Sequence, residues 1–330
     1  MENNNSLSRR RFSQGLLASA VGASFAPQLA WAQAGGQAQF LVPFTPGTTP
    51  DLLARLLSAG LAKSMNKNFV TENRPGASGM IGLQAVLRGA PDGSMLTVNT
   101  NTALTLPFVY KTVPFDVLND FTPVAMLGVT NFALCVNANL GVKTLQEFID
   151  LAKKRGGDIT YASPGKGTLH HLCMEMLMDK TGIQLSHVPY KGSAQATTDL
   201  VGGHVNAMFQ PMHVAEVHAK AGRIVILGAT RKEQDPTYPN VKPLAQLGVK
   251  DYEADSWYAV WGPSNMPADV VATLNKHIND LLQNDATVKE TLSKQGVVPE
   301  PMSPEQLFAK AKAEFAKWGE VTKAAGIAPE

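Results

Sequence analysis

Ser163-Pro-Gly-Lys-Gly-Thr168 joins a short apolar run, Ile159 to Ala162, to a segment in which Leu169, Leu172, Cys173, Met176 and Leu177 recur at helical spacing. The order is strand, glycine loop and helix start, with Thr168 at the N-cap and Gly182 placed to end the helix. Free N–H groups at such a turn, the positive end of the helix dipole and Lys166 together make a place for an anion, carboxylate or phosphate. Glycine-rich turns of this kind also occur in α/β proteins that hold nothing there. The G-x-x-x-x-G-K-[ST] phosphate loop and the G-x-G-x-x-G dinucleotide turn are both absent, so bound nucleotide is disfavoured.

Three more loops follow strands in the same way. Phe44-Thr-Pro-Gly-Thr-Thr comes after the apolar run Gln39 to Pro43 and enters a helix with Thr49 as N-cap, Pro50 in the first position and Asp51 in the first turn. Asn99-Thr-Asn-Thr follows Leu96 to Asn99, and Tyr190-Lys-Gly-Ser follows Leu185 to Pro189. Ligands of open α/β sheets sit beyond the carboxyl ends of the strands. Two of the four loops fall in a first unit and two in a second, so a ligand touching all four lies in a cleft between two α/β domains.

The elements that must position these loops alternate strand and helix from residue 38 to about 100, which calls for a parallel sheet with right-handed crossovers. Strands over Phe121 to Gly128 and Phe132 to Val136 precede a capping box, Thr144-x-x-Glu147. Further strands are expected at 205–209, 224–229 and 257–261. Two long helices follow, one through Val271, Leu274, Ile278 and Leu281, the other from Ser303-Pro-x-Gln306 through Phe308, Ala311, Phe315 and Trp318. The chain leaves the first unit near Gly128 and returns near Arg223, giving a discontinuous domain over 38–127 and 224–330 and a second over 128–223.

Residues 1–32 read as an address. Ser8-Arg-Arg-Arg-Phe12, a weakly apolar run to Trp31 and Ala30-Trp-Ala32 have the form of a twin-arginine export signal cleaved near Ala32. The net charge of +2 is matched by the charge of that signal, so the remainder is near neutral and gives no sign of nucleic-acid or anionic-membrane binding. Cys135 and Cys173 each sit in an apolar run, which favours two buried thiols over a disulfide. A hydrolase would need Ser163 with His170 or His171, yet G-x-S-x-G is absent. His170, His171, His187, His204, His213 and His218 cluster in the middle of the chain without H-E-x-x-H spacing. A periplasmic metal-dependent or serine hydrolase is the alternative to a binding protein; the reading adopted has no catalysis, metal or cofactor.

Val42-Pro-Phe-Thr-Pro-Gly, Glu72-Asn-Arg-Pro-Gly-Ala-Ser-Gly, Ala90-Pro-Asp-Gly, Tyr161-Ala-Ser-Pro-Gly-x-Gly-Thr-x-x-His171-Leu and His187-Val-Pro-Tyr-Lys-Gly-Ser-Ala together resemble the Bug family, the periplasmic solute receptors of tripartite tricarboxylate transporters. The resemblance runs over essentially the whole chain after the signal. It implies a type II periplasmic-binding-protein (Venus flytrap) fold that closes as a monomer on a small carboxylate, a di- or tricarboxylate, an amino acid or an aromatic acid, and delivers it to the transporter's membrane components. It places Phe44, Thr45, Gly47 and Thr48 beside the ligand, with Thr48 where the family usually has Gly. Ser163, Gly165, Lys166, Gly167, Thr168 and His171 supply the second loop, and Asn101 and Thr102 would reach the far end of the ligand.

Overall fold

Three parallel strands begin the fold: Ala38–Val42 (β1) lies between Phe69–Asn73 (β2) and Met95–Thr100 (β3). The computed structural model describes residues 37–324 and 326–329; the expected export signal over 1–32 lies outside the described residues. Helix α1 (Thr49–Met65) makes the first crossover and buries Leu53, Ala54, Leu57 and Leu61 in the cluster that holds Phe40, Val42, Leu96 and Val98 of the sheet. Helices α2 (Met80–Val86) and α3 (Thr102–Val109) flank β3 in the chain. The alternation expected over 38–100 is therefore present and parallel.

The rest of the first sheet is not parallel. Ser256–Pro263 (β10) enters antiparallel between β3 and Phe121–Thr130 (β4), and Val297–Pro299 (β11) adds an antiparallel edge, giving the order β11-β4-β10-β3-β1-β2. The second sheet holds Phe132–Asn137 (β5), Thr160–Ser163 (β6), Ser186–Pro189 (β7), Ala207–Pro211 (β8) and Ile224–Ala229 (β9), in the order β7-β6-β8-β5-β9. The chain thus changes sheet at Asn131, three residues beyond Gly128. Its return also lies later than Arg223: β9 pairs with β5 from Ala133↔Ala229 to Asn137↔Ile224, so residues 224–229 belong with the second sheet. A local apolar run shows that a strand exists, but its partner is a non-local choice.

Both sheets are covered on two faces. Around the second pack α4 (Leu145–Arg155), α5 (Leu169–Thr181), α6 (Ser193–Gly202) and α7 (Met212–Lys220), and around the first α8 (Ala268–Asn284) and α9 (Ala286–Lys294). Helix α10 (Pro304–Ala324) serves both: Leu307 and Ala311 lie in the cluster of Trp257, Ala259 and Trp261, and Trp318 lies in the cluster of Phe132, Leu134 and Phe209. Val109 of α3 joins that second cluster as well. Cys135 and Cys173 are buried, unpaired and in different clusters. No described helix is long and apolar enough to cross a membrane.

The loop after β1 is held from behind by one carboxylate. Asp51 accepts the Gly47 N–H at 2.8 Å, Arg55 Nε at 3.0 Å and Asn73 Nδ2 at 2.9 Å, and Asn73 Nδ2 also donates to the Phe44 carbonyl. Gly47 takes φ of +80°, which a side chain would strain. The helix begins one residue earlier than the sequence suggests: Thr48 is the N-cap, and Pro50 is the second helical residue. Burial pushes the Asp51 carboxyl upward, but its hydrogen bonds from Arg55, Gly47 and Asn73 outweigh this and hold it below the usual carboxylate range.

Because the folded-state value is depressed, this stabilisation is complete above about pH 4 and is lost as pH falls through the folded-state value. Asp51→Asn should cost about 1.5–3 kcal/mol at neutral pH, in line with hydrogen bonds to a charged group, and the gap from wild type should close on acidification. Urea unfolding across pH measures this, and a gap that stayed constant into strong acid would refute it. Trp318→Ala should cost about 3–5 kcal/mol, as for other buried Trp truncations. A loss under about 1 kcal/mol in the same assay would mean that α10 contributes little to either core.

Candidate functional site

A cavity of about 510 Å³ lies between the two sheets, within the range of roughly 300–1,000 Å³ common for small-molecule sites. The carboxyl ends of β1, β3 and β8 reach its wall, as do the loops after β6 and β7 and the amino ends of β5 and β10, which run the other way. First-sheet elements supply mostly hydroxyls, from Thr45 and Thr48 to Ser256 and Tyr258. The second supplies the basic groups, His170, Lys191, His213 and His218. Among the described residues, no Asp or Glu lines it.

Six described helices start at this wall: the short α2 and α3, through Gly79 and Thr102, and the longer α1, α5, α6 and α7. Thr48, Thr168, Gly192 and Pro211 are the N-caps of α1, α5, α6 and α7, and none has a side chain accepting a first-turn N–H. Away from the cavity three helices are capped by side chains, while α8 follows Pro267 without one. Thr144 and Glu147 form the capping box expected for α4, Asp285 accepts the Val288 N–H of α9, and Ser303 and Gln306 bond reciprocally at α10. Uncapped N-termini carry unsatisfied N–H groups and partial positive charge. Four of them around an acid-free cavity set up a positive potential suited to an anion.

Of the residues singled out from the sequence, Phe44, Thr45, Gly47, Thr48, Thr102 and Thr168 line this cavity. Asn101, Ser163, Gly165, Lys166, Gly167 and His171 are not among its lining residues; Asn101, Ser163, Gly167 and His171 are buried, and Gly165 and Lys166 are partly exposed. The Asn101 amide turns away, donating to the Asp255 carbonyl at 2.8 Å and to Glu314 at 3.3 Å. Around the Ser-Pro-Gly loop, several N–H groups are already engaged: Gly165 N donates to Ser163 Oγ, Gly167 N to His171 Nδ1 and Thr168 N to the Gly165 carbonyl. The Thr168 hydroxyl also donates to Gly165 O, at 2.7 Å, instead of capping α5. Loop carbonyls bind the first half: Lys166 O accepts from Ser78 Oγ at 2.7 Å and Tyr110 OH at 3.3 Å, and Gly167 O accepts from Thr105.

A buried polar stack braces that loop. Ser163 Oγ lies 2.7 Å from His187 Nε2, and the His187 ring stacks on Tyr161 at 4.8 Å with His171 at 4.4 Å. The serine thus pairs with His187, not with His170 or His171 as a hydrolase reading of the sequence supposed. Ser163 is fully buried behind the wall, where no substrate reaches its oxygen. Accepting from Gly167 N–H makes His171 Nδ1 unprotonated, so Nε2 carries the proton toward Glu175 at 3.5 Å. Burial, then the His187 and Lys166 charges, push His171 down to about 3, so it stays neutral. Burial raises Glu175, which accepts the Tyr161 hydroxyl.

Sequence reasoning passed over several wall residues. Lys191, Gly192 and Ser193 belong to the flagged loop after β7 but had no ligand role assigned. Ser78 sits in a turn where Ala77 and Ser78 take φ of +46° and +53°, a conformation no pattern announces. Gln210 is a polar residue inside an apolar strand, Ala207-Met-Phe-Gln-Pro211, and that mismatch was its available signal. Phe132, His170 and His213 carried no local cue beyond the crowding of histidines. Among the described residues, no group of three or more His, Cys, Asp or Glu is placed to hold a metal ion.

The family model for the tripartite tricarboxylate transporter family receptor matches residues 53–327. The BugT protein of Bordetella pertussis is 33% identical over 290 residues, spanning 87% of this chain and 89% of the relative. An R. palustris protein solved with adipate has a TM-score of 0.85 at 32% identity, covering 90% of this chain and 100% of that one. The periplasmic binding protein BugD gives 0.82 at 28% identity, covering 89% and 99%. The fold is the two-domain periplasmic-binding-protein fold, with the cavity between its two α/β sheets, and these relatives are receptors, not enzymes. The chain belongs to the family of tripartite tricarboxylate transporter receptors, the Bug solute-binding receptors.

Proposed function

We propose that this receptor captures a small carboxylate in the periplasm by closing its two α/β domains and delivers it, as a monomer, to the membrane components of a tripartite tricarboxylate transporter. Export under a twin-arginine signal over residues 1–32 is part of the same reading. The observation that carries it is the cavity wall with four uncapped helix N-termini and no acidic side chain. Adipate in a relative at 32% identity supports the ligand class. Phe44, Thr45, Gly47, Thr48, Thr102 and Thr168 would touch the ligand, while Asn101, Ser163, Gly165, Lys166, Gly167 and His171 shape the wall behind them.

A panel of di- and tricarboxylates, amino acids and aromatic acids in a thermal-shift assay tests the class. A true ligand at about a hundred times its Kd adds about 2.7 kcal/mol to the folded state and raises Tm. Mass spectrometry should recover that ligand unchanged, and small-angle scattering should give a smaller radius with it. Stabilisation by uncharged analogues but by none of the acids would sink the reading, and so would turnover.

The Ser-Pro-Gly loop gives a second test. Gly167 has φ of +76°, and a Cβ there would lie 2.4 Å from Val109 Cγ2 of α3. Gly167→Val should therefore displace the loop and abolish binding, whereas Lys166→Ala should weaken it by roughly 0.2–1 kcal/mol. The reverse order in calorimetry would make the grip a lysine ion pair.

A further inference from the structure

The chain crosses between its sheets from β4 to β5 and from β9 to β10, whereas β1 and β2 of one sheet and β6 and β7 of the other lie away from those crossings. On that far side the two halves touch. Ser78, in the turn after β2, donates its hydroxyl to the Lys166 carbonyl in the loop after β6 at 2.7 Å. Tyr110 OH lies 2.9 Å from Ser78 Oγ and 3.3 Å from the same carbonyl, so with the serine proton on Lys166 O the tyrosine donates. A Cβ at Gly165 would lie 2.6 Å from Ser78 Oγ, and one at Gly192, after β7, would lie 2.6 Å from Thr45 Cγ2 in the loop after β1.

The turn that presents Ser78 is strained. Gly76, Ala77, Ser78 and Gly79 all take positive φ, +133°, +46°, +53° and +98°. Two of the four carry a side chain, for which this region is unfavourable; such a conformation persists only where its surroundings hold it, and it is found at clamps and switches. Behind the turn, α2 is seated on the end of β1: a Cβ at Gly82 would lie 2.8 Å from Pro43 Cα. The turn therefore cannot draw back from the second half without disturbing the loop that carries Thr45. Tyr110 packs, partly buried, against the cores of both sheets, so its hydroxyl stays at the seam.

We propose that Ser78, oriented by Tyr110, is a clasp: its bond to the Lys166 carbonyl holds the two halves together on the side away from the crossings and sets how long a bound acid is retained, whatever that acid is. The proposal rests on the closure reading above and names residues that stabilise the closed form. A hydrogen bond between the halves, unlike one to the ligand, adds the same free energy to closure for every ligand. Its loss therefore weakens all ligands by a common factor, through faster release, and leaves their ranking unchanged. The same loss lowers the fraction of closed molecules when no ligand is present. Ser78 lines the cavity and Tyr110 does not, so the Tyr110 hydroxyl separates the clasp from direct contact with a ligand.

Thr45→Cys with Gly192→Cys makes a reporter of closure. The two Cβ positions are 3.4 Å apart, close to the disulfide range of about 3.5–4.5 Å, and Gly192 has φ of −176°, which any residue adopts. Cys135 and Cys173 are buried and do not compete. With no acid added, glutathione disulfide should cross-link positions 45 and 192 of this double variant. Adding Ser78→Ala or Tyr110→Phe should slow the reaction at least about twofold, the scale of one hydrogen bond. In the chain without the two new cysteines, Tyr110→Phe should raise Kd and koff for adipate and for terephthalate by one common factor. The clasp is overturned if the parent pair does not cross-link, if both folded variants slow it by less than that amount, or if Tyr110→Phe weakens one acid and spares the other. Should adipate still shrink the scattering radius when the clasp fails, closure itself stands. Binding of neither acid counts against the carboxylate reading alone, because the cross-linking arm holds no ligand and decides the clasp by itself.

Discussion

An α-helix cannot satisfy the N–H groups of its own first turn, and whatever completes them decides where that helix can start. At the ends of α4, α9 and α10 the chain answers with its own side chains. At α1, α5, α6 and α7 it does not, and these four ends face one cavity. Strand direction makes that possible. Parallel strands β1, β6 and β7 each lead through a short loop into a following helix, so the positive ends gather on the side where the strands finish.

Among the described residues, carboxylates brace the wall of this site and do not line it. Asp51 spends its carboxylate on Gly47, Arg55 and Asn73, fixing the loop that carries Phe44 and Thr45. Glu175 is turned to Tyr161 and His171 behind the other loop. Both acids lie close enough to tune the backbone yet out of reach of the cavity. The two loops they brace are thus held from behind, and a wall fixed before a ligand arrives needs little reorganisation to bind one.

The sequence shows most clearly those features that depend on neighbours in the chain. The loop following Ala162, the capping box at Thr144 and Glu147, and the apolar stripes of α5 and α8 are all local patterns, and each is found in place. Pairing is different: nothing within Ile224–Ala229 says that its partner is β5, and nothing within Ser256–Pro263 says that it will split β3 from β4. Side-chain direction is equally non-local. Asn101 and Thr102 are adjacent, yet Thr102 faces the cavity and Asn101 reaches Asp255 and Glu314, residues more than 150 positions away. Helix α3 was hidden because its start reads as the polar run Asn99-Thr-Asn-Thr and Pro107 lies inside it.

The position of α10 bears on the order in which the molecule can be assembled. Every strand precedes this helix in the chain, yet Leu307 and Ala311 close the core of one sheet and Trp318 the core of the other. A chain that ends before residue 307 therefore has an open apolar face on both sheets, however well each has paired its strands. Neither core is complete without α10. A nascent chain that holds all eleven described strands but not yet this helix therefore still offers chaperones exposed apolar surface.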